Sequence, residues 1–256
     1  MSQIPTSVPA LDKAFAILDY VTESPRPVSA AQIAKDLGLP KSSMHNLLNT
    51  LLQKGVLRRD ENNLFFLGSY LLYWAGKFEQ QQEVIALFYE LILSEPMLAL
   101  NTITLSTLDH AKGEVVYLAC HESPLPLGFT FRAGVRVPAA FSATGKAMMS
   151  TLPFEDVRAM YADGLPIPFT PNSVQSFEVL AGEFEQVKQT HTSLDNGQLR
   201  MGMYCLGTYI RNVHGKAVAG LAASFPYHEY EQKKEEVSVS LIALASKIEN
   251  RLGFVE

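Results

Sequence analysis

Along the first quarter of the chain, apolar residues recur at helical spacing in three places. Leu11, Phe15, Leu18 and Val21 form the first stripe, with Pro9 near its start and Pro25 and Pro27 beyond its end. Ile33, Ala34 and Leu37 form the second. Ser29 is a good N-cap for it, and Gln32 three positions on completes a capping box. Gly38 can adopt the left-handed conformation that stops this helix, and Pro40 suits the first turn of the next, where its missing N–H costs nothing. Met44, Leu47, Leu48 and Leu51 then lie at i, i+3, i+4 and i+7. Two strand-like runs follow, Val56 to Arg59 and Leu64 to Leu67, around the turn composition Asp60-Glu61-Asn62-Asn63. Three helices and a hairpin in this order predict a winged helix-turn-helix, which places its third helix in the DNA major groove.

The polar side of that third helix fits the same use. Lys41, Ser42, Ser43, His45, Asn46 and Asn49 fall largely outside the apolar stripe, and no carboxylate occurs between Asp36 and Asp60. Short hydrogen-bonding side chains without negative charge suit phosphates and base edges, whereas an ordinary surface helix carries Asp or Glu. Arg58 and Arg59 flank the hairpin turn, where they would meet the phosphate backbone or enter the minor groove, or instead pair with Asp60 and Glu61 as ordinary surface arginines.

Helical spacing continues beyond the hairpin through Leu67, Leu71, Trp74 and Phe78, a stripe that serves either as core or as a dimer contact. Gln80-Gln81-Gln82 is a polar break, and Val84, Leu87, Phe88 and Leu91 resume the helical period up to Pro96. Strand-like runs then alternate with helical ones. The strands are expected at Asn101–Leu108, Glu114–Cys120, Leu127–Phe131, Met201–Arg211 and Val218–Phe225, and the helices at Ser142–Ser150, Pro153–Ala162, Ser176–Gln189 and Glu229–Leu252. The expected organisation is α+β: a winged helix-turn-helix over residues 1–68, a linker helix over 69–83, and an α/β domain over 84–256.

Charge follows the same division. The chain has a net charge of −5, but residues 1–78 hold 8 Lys/Arg against 6 Asp/Glu, whereas residues 79–256 hold 13 against 20. A mildly basic head on an acidic body fits a DNA reader carried by a sensing domain. The two cysteines, Cys120 and Cys205, are too few for a disulfide framework and suit a reducing compartment. With no apolar run of membrane length and no basic-then-apolar N-terminus, a cytoplasmic protein is expected.

Signals for catalysis are weak, and no enzyme activity, catalytic residue, cofactor or metal is expected. Ala140 occupies the upstream glycine position of a P-loop before Gly145-Lys146, no GxSxG or HExxH occurs, and the histidines are scattered without zinc-ligand spacing. The helix start around Phe141–Gly145 would instead offer backbone N–H groups to an anion such as a carboxylate.

Taken in order, "SVPALDKAFAILDYV", "IAKDLGLPKSSMHNLLNTLLQKGVLRRD", "LGSYLLYWAG", "GEVVYLACHESPLPL", "SATGKAMMS" and "GKAVAGLAASFP" resemble the IclR family of bacterial transcriptional regulators from about Ser7 to Leu252. Two departures stand out: Asn46 where that family usually has arginine, and Ala140-Phe141 where it usually has a histidine-alanine pair. The resemblance implies a GAF-like or profilin-like C-terminal effector-binding domain. It also implies a homodimer that can pair into a tetramer, binding double-stranded operator DNA under the control of a small carboxylate such as a sugar acid or oxo-acid, more often as a repressor. By the same resemblance, the backbone of Ala143 and Thr144 holds the carboxylate. Asp195, Cys205 and Ser224 occupy polar effector-contacting positions, and Ala222 replaces a polar residue. Leu127, Phe129 and Val137, with Phe141, supply apolar cover. The residues alone leave two other readings open: a winged-helix protein-interaction module without effector, and a metabolic enzyme with a DNA-binding head. They equally allow Cys205 to be a plain buried thiol and Asp195 a loop turn residue.

Overall fold

In the computed structural model, which describes residues 8–124 and 131–254 except for the side chain of Lys41, the chain divides into two compact units that meet at Gln81 and Gln82. The first unit begins with α1 (Pro9–Glu23), β1 (Val28–Ser29), α2 (Ala30–Asp36) and α3 (Lys41–Gln53). Ser29 and Gln32 form a reciprocal capping box at the start of α2. Gly38 has φ of 62°, as the stop between α2 and α3 requires. Pro40 stands one residue before α3 in an extended conformation. β2 (Leu57–Arg59) and β3 (Leu64–Leu67) form the wing hairpin, and β1 adds a third strand on the far side of β3, too short to leave a pattern in the sequence.

One core of Ile17, Val21, Ile33, Met44, Leu48, Leu51, Val56, Leu57 and Phe65 holds this unit together. On α1 the C-terminal half of the expected stripe is covered, with Val21 in the core and Leu18 packed against it. Ile17 and Val21 face the core, while Leu11 and Phe15 are exposed. The helix carries apolar residues on two sides, and spacing alone does not tell which is covered. The following helix, α4 (Tyr70–Gln80), packs with this unit by its first turn only. Tyr70 N donates to Gly55 O at 3.2 Å and Leu71 leans on the core, whereas Leu72, Tyr73, Trp74 and Phe78 stay exposed.

The second unit starts with α5 (Glu83–Leu91), a 3₁₀ turn and α6 (Pro96–Ala99). It then forms a six-stranded antiparallel sheet of β4 (Thr102–Asp109), β5 (Glu114–His121), β6 (Arg136–Pro138), β7 (Ser193–Asp195), β8 (Met203–Arg211) and β9 (Ala217–Pro226), in the order β6-β5-β4-β9-β8-β7. The strand expected at Leu127–Phe131 lies outside the described residues except for Phe131. β6 and β7, three residues each, were not anticipated.

Each sheet face has its own core. α5, α6 and α10 (Tyr227–Arg251) cover one with Phe88, Ile103, Leu105, Leu221, Leu241 and Leu244. On the other lie α7 (Ala143–Met149), α8 (Phe154–Met160) and α9 (Phe177–Thr190), around Val115, Phe141, Met149, Val157 and Phe184. α7 reaches the sheet because β8 and β9 present glycine beneath it. A Cβ on Gly207 would lie 2.7 Å from the Ala143 carbonyl carbon, and one on Gly220 would lie 2.8 Å from the Thr144 Cβ. Among the described residues no helix is long and apolar enough to cross a membrane, and no cluster of His, Cys, Asp or Glu is suited to hold a metal ion.

Candidate functional sites

On α3, Met44 and Leu48 are buried, while Ser42, Ser43, His45 and Asn46 are exposed and Asn49 is half-buried, so the hydrogen-bonding residues share the outward side. Lys41 opens the helix. Arg58 and Arg59 project from β2, both exposed. The wing's aspartate is engaged elsewhere: Asp60 Oδ1 accepts from Asn62 N at 3.0 Å and Leu64 N at 2.8 Å, closing the turn. The Arg58 guanidinium lies 4.1 Å from the centre of the Phe66 ring, a stacking that orders it without neutralising it. This surface is therefore cationic and polar, with no carboxylate on α3.

In the second unit, the loop into α7 is held by specific bonds. Ala140 N donates to the Tyr161 hydroxyl at 3.0 Å, and that hydroxyl donates to Gly113 O at 2.7 Å. Phe141 N and Ser142 N both donate to Pro138 O at 3.2 Å, and Gly145 N donates to the N-cap Ser142 Oγ at 3.3 Å. The N–H groups of Ala143 and Thr144 are left without a partner among the described residues. The Thr144 side chain is occupied, its Oγ1 lying 2.7 Å from Ser106 Oγ and 3.0 Å from Ser142 Oγ.

Strand register supplies the opposing surface. One row across the sheet reads Asp195, Cys205, Ser224, Thr102, and the next Ser193, Gly207, Ala222, Thr104, Cys120. Cys205 and Ala222 pack with Ala143 in a small cluster, and Cys205 Sγ lies 3.1 Å from Ser224 Oγ. Asp195 is 2% exposed. Its Oδ1 accepts from Gln198 N at 2.6 Å and Leu199 N at 3.4 Å, so it caps the turn after β7 while its other oxygen has no partner among the described residues. Burial raises its pKa to about 6, against the opposing influence of Lys146 and of the backbone N–H groups of Gln198, Leu199 and Gly197. Burial likewise pushes the Cys205 thiol well above its usual range, so it is a neutral thiol at physiological pH.

Lys146 is an ion that sequence reading passed over except as a failed P-loop. It is fully buried, donates to Leu194 O, and lies 2.7 Å from Glu183 Oε2 of α9. It ties α7 to α9 and to the strand that carries Asp195. Its neighbour Gly145 is the only hint in the sequence, since a Cβ there would come within 2.3 Å of Ala139 O.

Not all of the expected apolar wall lies beside this cluster. Phe141 is fully buried in the second core with its ring 5.8 Å from that of Phe169, and Val137, half-buried on β6, packs into the same core. Leu127 and Phe129 lie outside the described residues.

Comparison with known proteins gives this architecture its relatives. The IclR helix-turn-helix domain matches residues 10–61, and the C-terminal domain of bacterial IclR transcriptional regulators matches residues 89–250. Among solved structures, the Agobacterium tumefaciens repressor BlcR is 35% identical, with 98% of this chain and 99% of that chain covered and a TM-score of 0.64. The acetate operon repressor of Salmonella typhimurium is 23% identical over 94% of this chain and 89% of its own. An IclR homologue from Microbacterium hydrocarbonoxydans, solved with 4-hydroxybenzoate, shares the fold at 22% identity, with 95% and 98% covered and a TM-score of 0.74. With both domains matched in order, the chain belongs to the IclR family and is a DNA-binding transcriptional regulator.

Proposed function

We propose that this regulator acts as a cytoplasmic, non-enzymatic repressor whose operator affinity is set by a small organic acid, a sugar acid or oxo-acid by class, bound in the second unit. The observation that carries this reading is the pair of unpartnered N–H groups on Ala143 and Thr144, opposite Cys205, Ala222 and Ser224. Two neighbouring backbone donors in a buried setting suit the two oxygens of a carboxylate. Asp195 belongs at the ligand's other end, since its charge would repel the carboxylate; its free oxygen accepts a hydrogen bond from a ligand hydroxyl. That a homologue was solved with 4-hydroxybenzoate, itself a carboxylic acid, is in keeping with this class.

In the first unit, Ser43, His45 and Asn46 would read base edges, with Ser42 and Asn49 beside them, while Lys41, Arg58 and Arg59 would hold phosphates. Two such heads are needed for a pseudo-palindromic operator. The exposed Leu72, Tyr73, Trp74 and Phe78 of α4, with Leu11 and Phe15 of α1, supply apolar surface for a homodimer, which can pair again into a tetramer. The effector controls DNA binding only if it prefers one of the DNA-free and DNA-bound states.

A thermal-shift screen of the full chain against short organic acids, followed by a gel shift with and without the best one, tests the reading. The expected result is one or more stabilising acids that change operator affinity. For the acid found, Asp195→Ala should cost about 1–3 kcal/mol of binding by calorimetry, and Ala143→Pro should cost more by removing a donor. Unchanged binding in both variants would place the effector elsewhere.

A further inference from the structure

Two hydroxyl side chains on the same sheet face have no role in the site as described. Tyr117 of β5 pairs with Ser106 of β4, whose hydroxyl bonds Thr144 of α7, so Tyr117 lies on the α7 side of the sheet. A register shift between Leu105 and Ser106 in the β4–β5 pairing puts it there: the extra residue, Leu118, belongs to the core on the opposite face. Thr104 sits two residues from Ser106 on that face, directly beside Ala222.

Both side chains are more than nine-tenths buried, at 7% and 2% exposure, and neither hydroxyl bonds another group among the described residues; neither is a sealed buried atom, so each tip opens onto accessible space. The Tyr117 ring is positioned edge-on to Phe131 at 5.5 Å. Burial holds its phenol well above the usual tyrosine range, so the hydroxyl keeps its proton. Thr104 is paired with Ala222, whose single methyl adds little bulk beside it. A hydroxyl that no protein group engages, at the tip of an otherwise buried side chain, is free to bond a ligand oxygen in a sensing domain.

We propose that Tyr117 and Thr104 form a second polar wall of the effector site and hydrogen-bond an oxygen at the end of the ligand remote from its carboxylate. This rests on the reading that the acid's carboxylate meets Ala143 and Thr144. Tyr117 becomes a specificity-determining residue for the oxygen at that end, one that neither the motif resemblance nor residue spacing reveals.

The test uses the full chain and two matched series of probes, 3-hydroxypropionate to 6-hydroxyhexanoate and the unsubstituted propionate to hexanoate, by calorimetry. The wild type should prefer one hydroxy acid over its unsubstituted partner. Tyr117→Phe keeps the ring on Phe131 and removes only the hydroxyl. It should weaken that hydroxy acid about tenfold, the worth of one buried hydrogen bond, and leave the unsubstituted acid unchanged. Thr104→Val, of equal shape, should act in the same direction and serves if Tyr117→Phe melts early. Ala222→Leu, which fills the space beside Thr104, should abolish both ligands and tests the site itself. If Ala222→Leu abolishes binding while the other two variants lose both acids equally or neither, the site stands and the second wall is wrong. If Ala222→Leu leaves binding intact, the site itself is misplaced and the proposal falls with it. Binding of none of the eight acids would refute the ligand class.

Discussion

The proposed DNA-facing surface and the proposed effector site are built in opposite ways. The first is one exposed helix face and a wing: Ser43, His45 and Asn46 come from a single turn of α3, and Arg58 and Arg59 are adjacent on β2. Almost nothing in the protein engages these groups, which keeps them available for DNA. The second is assembled from α7, β4, β5, β7, β8 and β9, and nearly every polar group in it is already bonded. Where most groups are engaged, the few that are not carry the functional information: the N–H groups of Ala143 and Thr144, one oxygen of Asp195, and the hydroxyls of Thr104 and Tyr117. On an exposed face the informative feature is composition; in a buried site it is an incomplete hydrogen-bond inventory.

The contrast can be broken most severely at the close approach of α7 to the sheet. Gly220→Val should destabilise the second unit by about 3 kcal/mol or more, since its first added carbon already meets Thr144 and no flexible side chain is there to yield. Urea unfolding followed by a second-unit signal measures it, and a loss under 1 kcal/mol would contradict the packing described. On the DNA surface no substitution should approach this.

Asp195 gives a smaller effect, of about 2–3 kcal/mol for a shift of this size. Its folded pKa of about 6 lies above the ordinary aspartate value, so the folded state holds the proton more tightly. The resulting stabilisation is complete below pH 4 and lost as pH rises through 6. Compared with Asp195→Asn, the wild type should therefore lose stability between about pH 4 and about pH 6, with little further change above, measured as the difference in unfolding free energy. Parallel pH profiles for the two proteins would show that Asp195 is not desolvated as described.

On the DNA side, Arg58→Ala should weaken all sequences alike and reduce the slope of log affinity against log salt by about one. A loss confined to one operator variant would mean that the wing reads bases instead. The smallest change is expected from Asn46→Ala, a shift in preference at one or two base pairs worth about 1–3 kcal/mol each. Unaltered specificity in a binding-site selection would mean that α3 is turned differently in the groove.

Legibility in the sequence followed the range of the interactions. The capping box at Ser29 and Gln32, the Gly38 stop and the wing turn at Asp60 are local, and each appears where spacing predicted it. On α1 the period finds Val21 and Leu18 but also takes in Leu11 and Phe15, which are exposed, and passes over the buried Ile17, because apolar residues lie on two sides of that helix. β1, β6 and β7 are held by pairing with distant strands and are too short to show alternation of their own. In the proposed effector site, the helix start that holds Ala143 is legible in the residues, Asp195, Cys205, Ala222 and Ser224 are reached only through resemblance, and Lys146, Thr104 and Tyr117 escape both.

The sequence by itself determined the order of elements, the acid-free recognition face and the division of charge between head and body, because all of these depend on residues within a turn or two of one another. Only the tertiary structure decided which polar groups are left unsatisfied beneath α7. That depends on a register shift between β4 and β5, on two glycines that let a helix sit on strands 60 to 80 residues away, and on the pairing of Asp195 with Cys205 and of Cys205 with Ser224 across neighbouring strands. Each is a contact between segments far apart in the chain, set by the closure of the whole sheet rather than by any local preference.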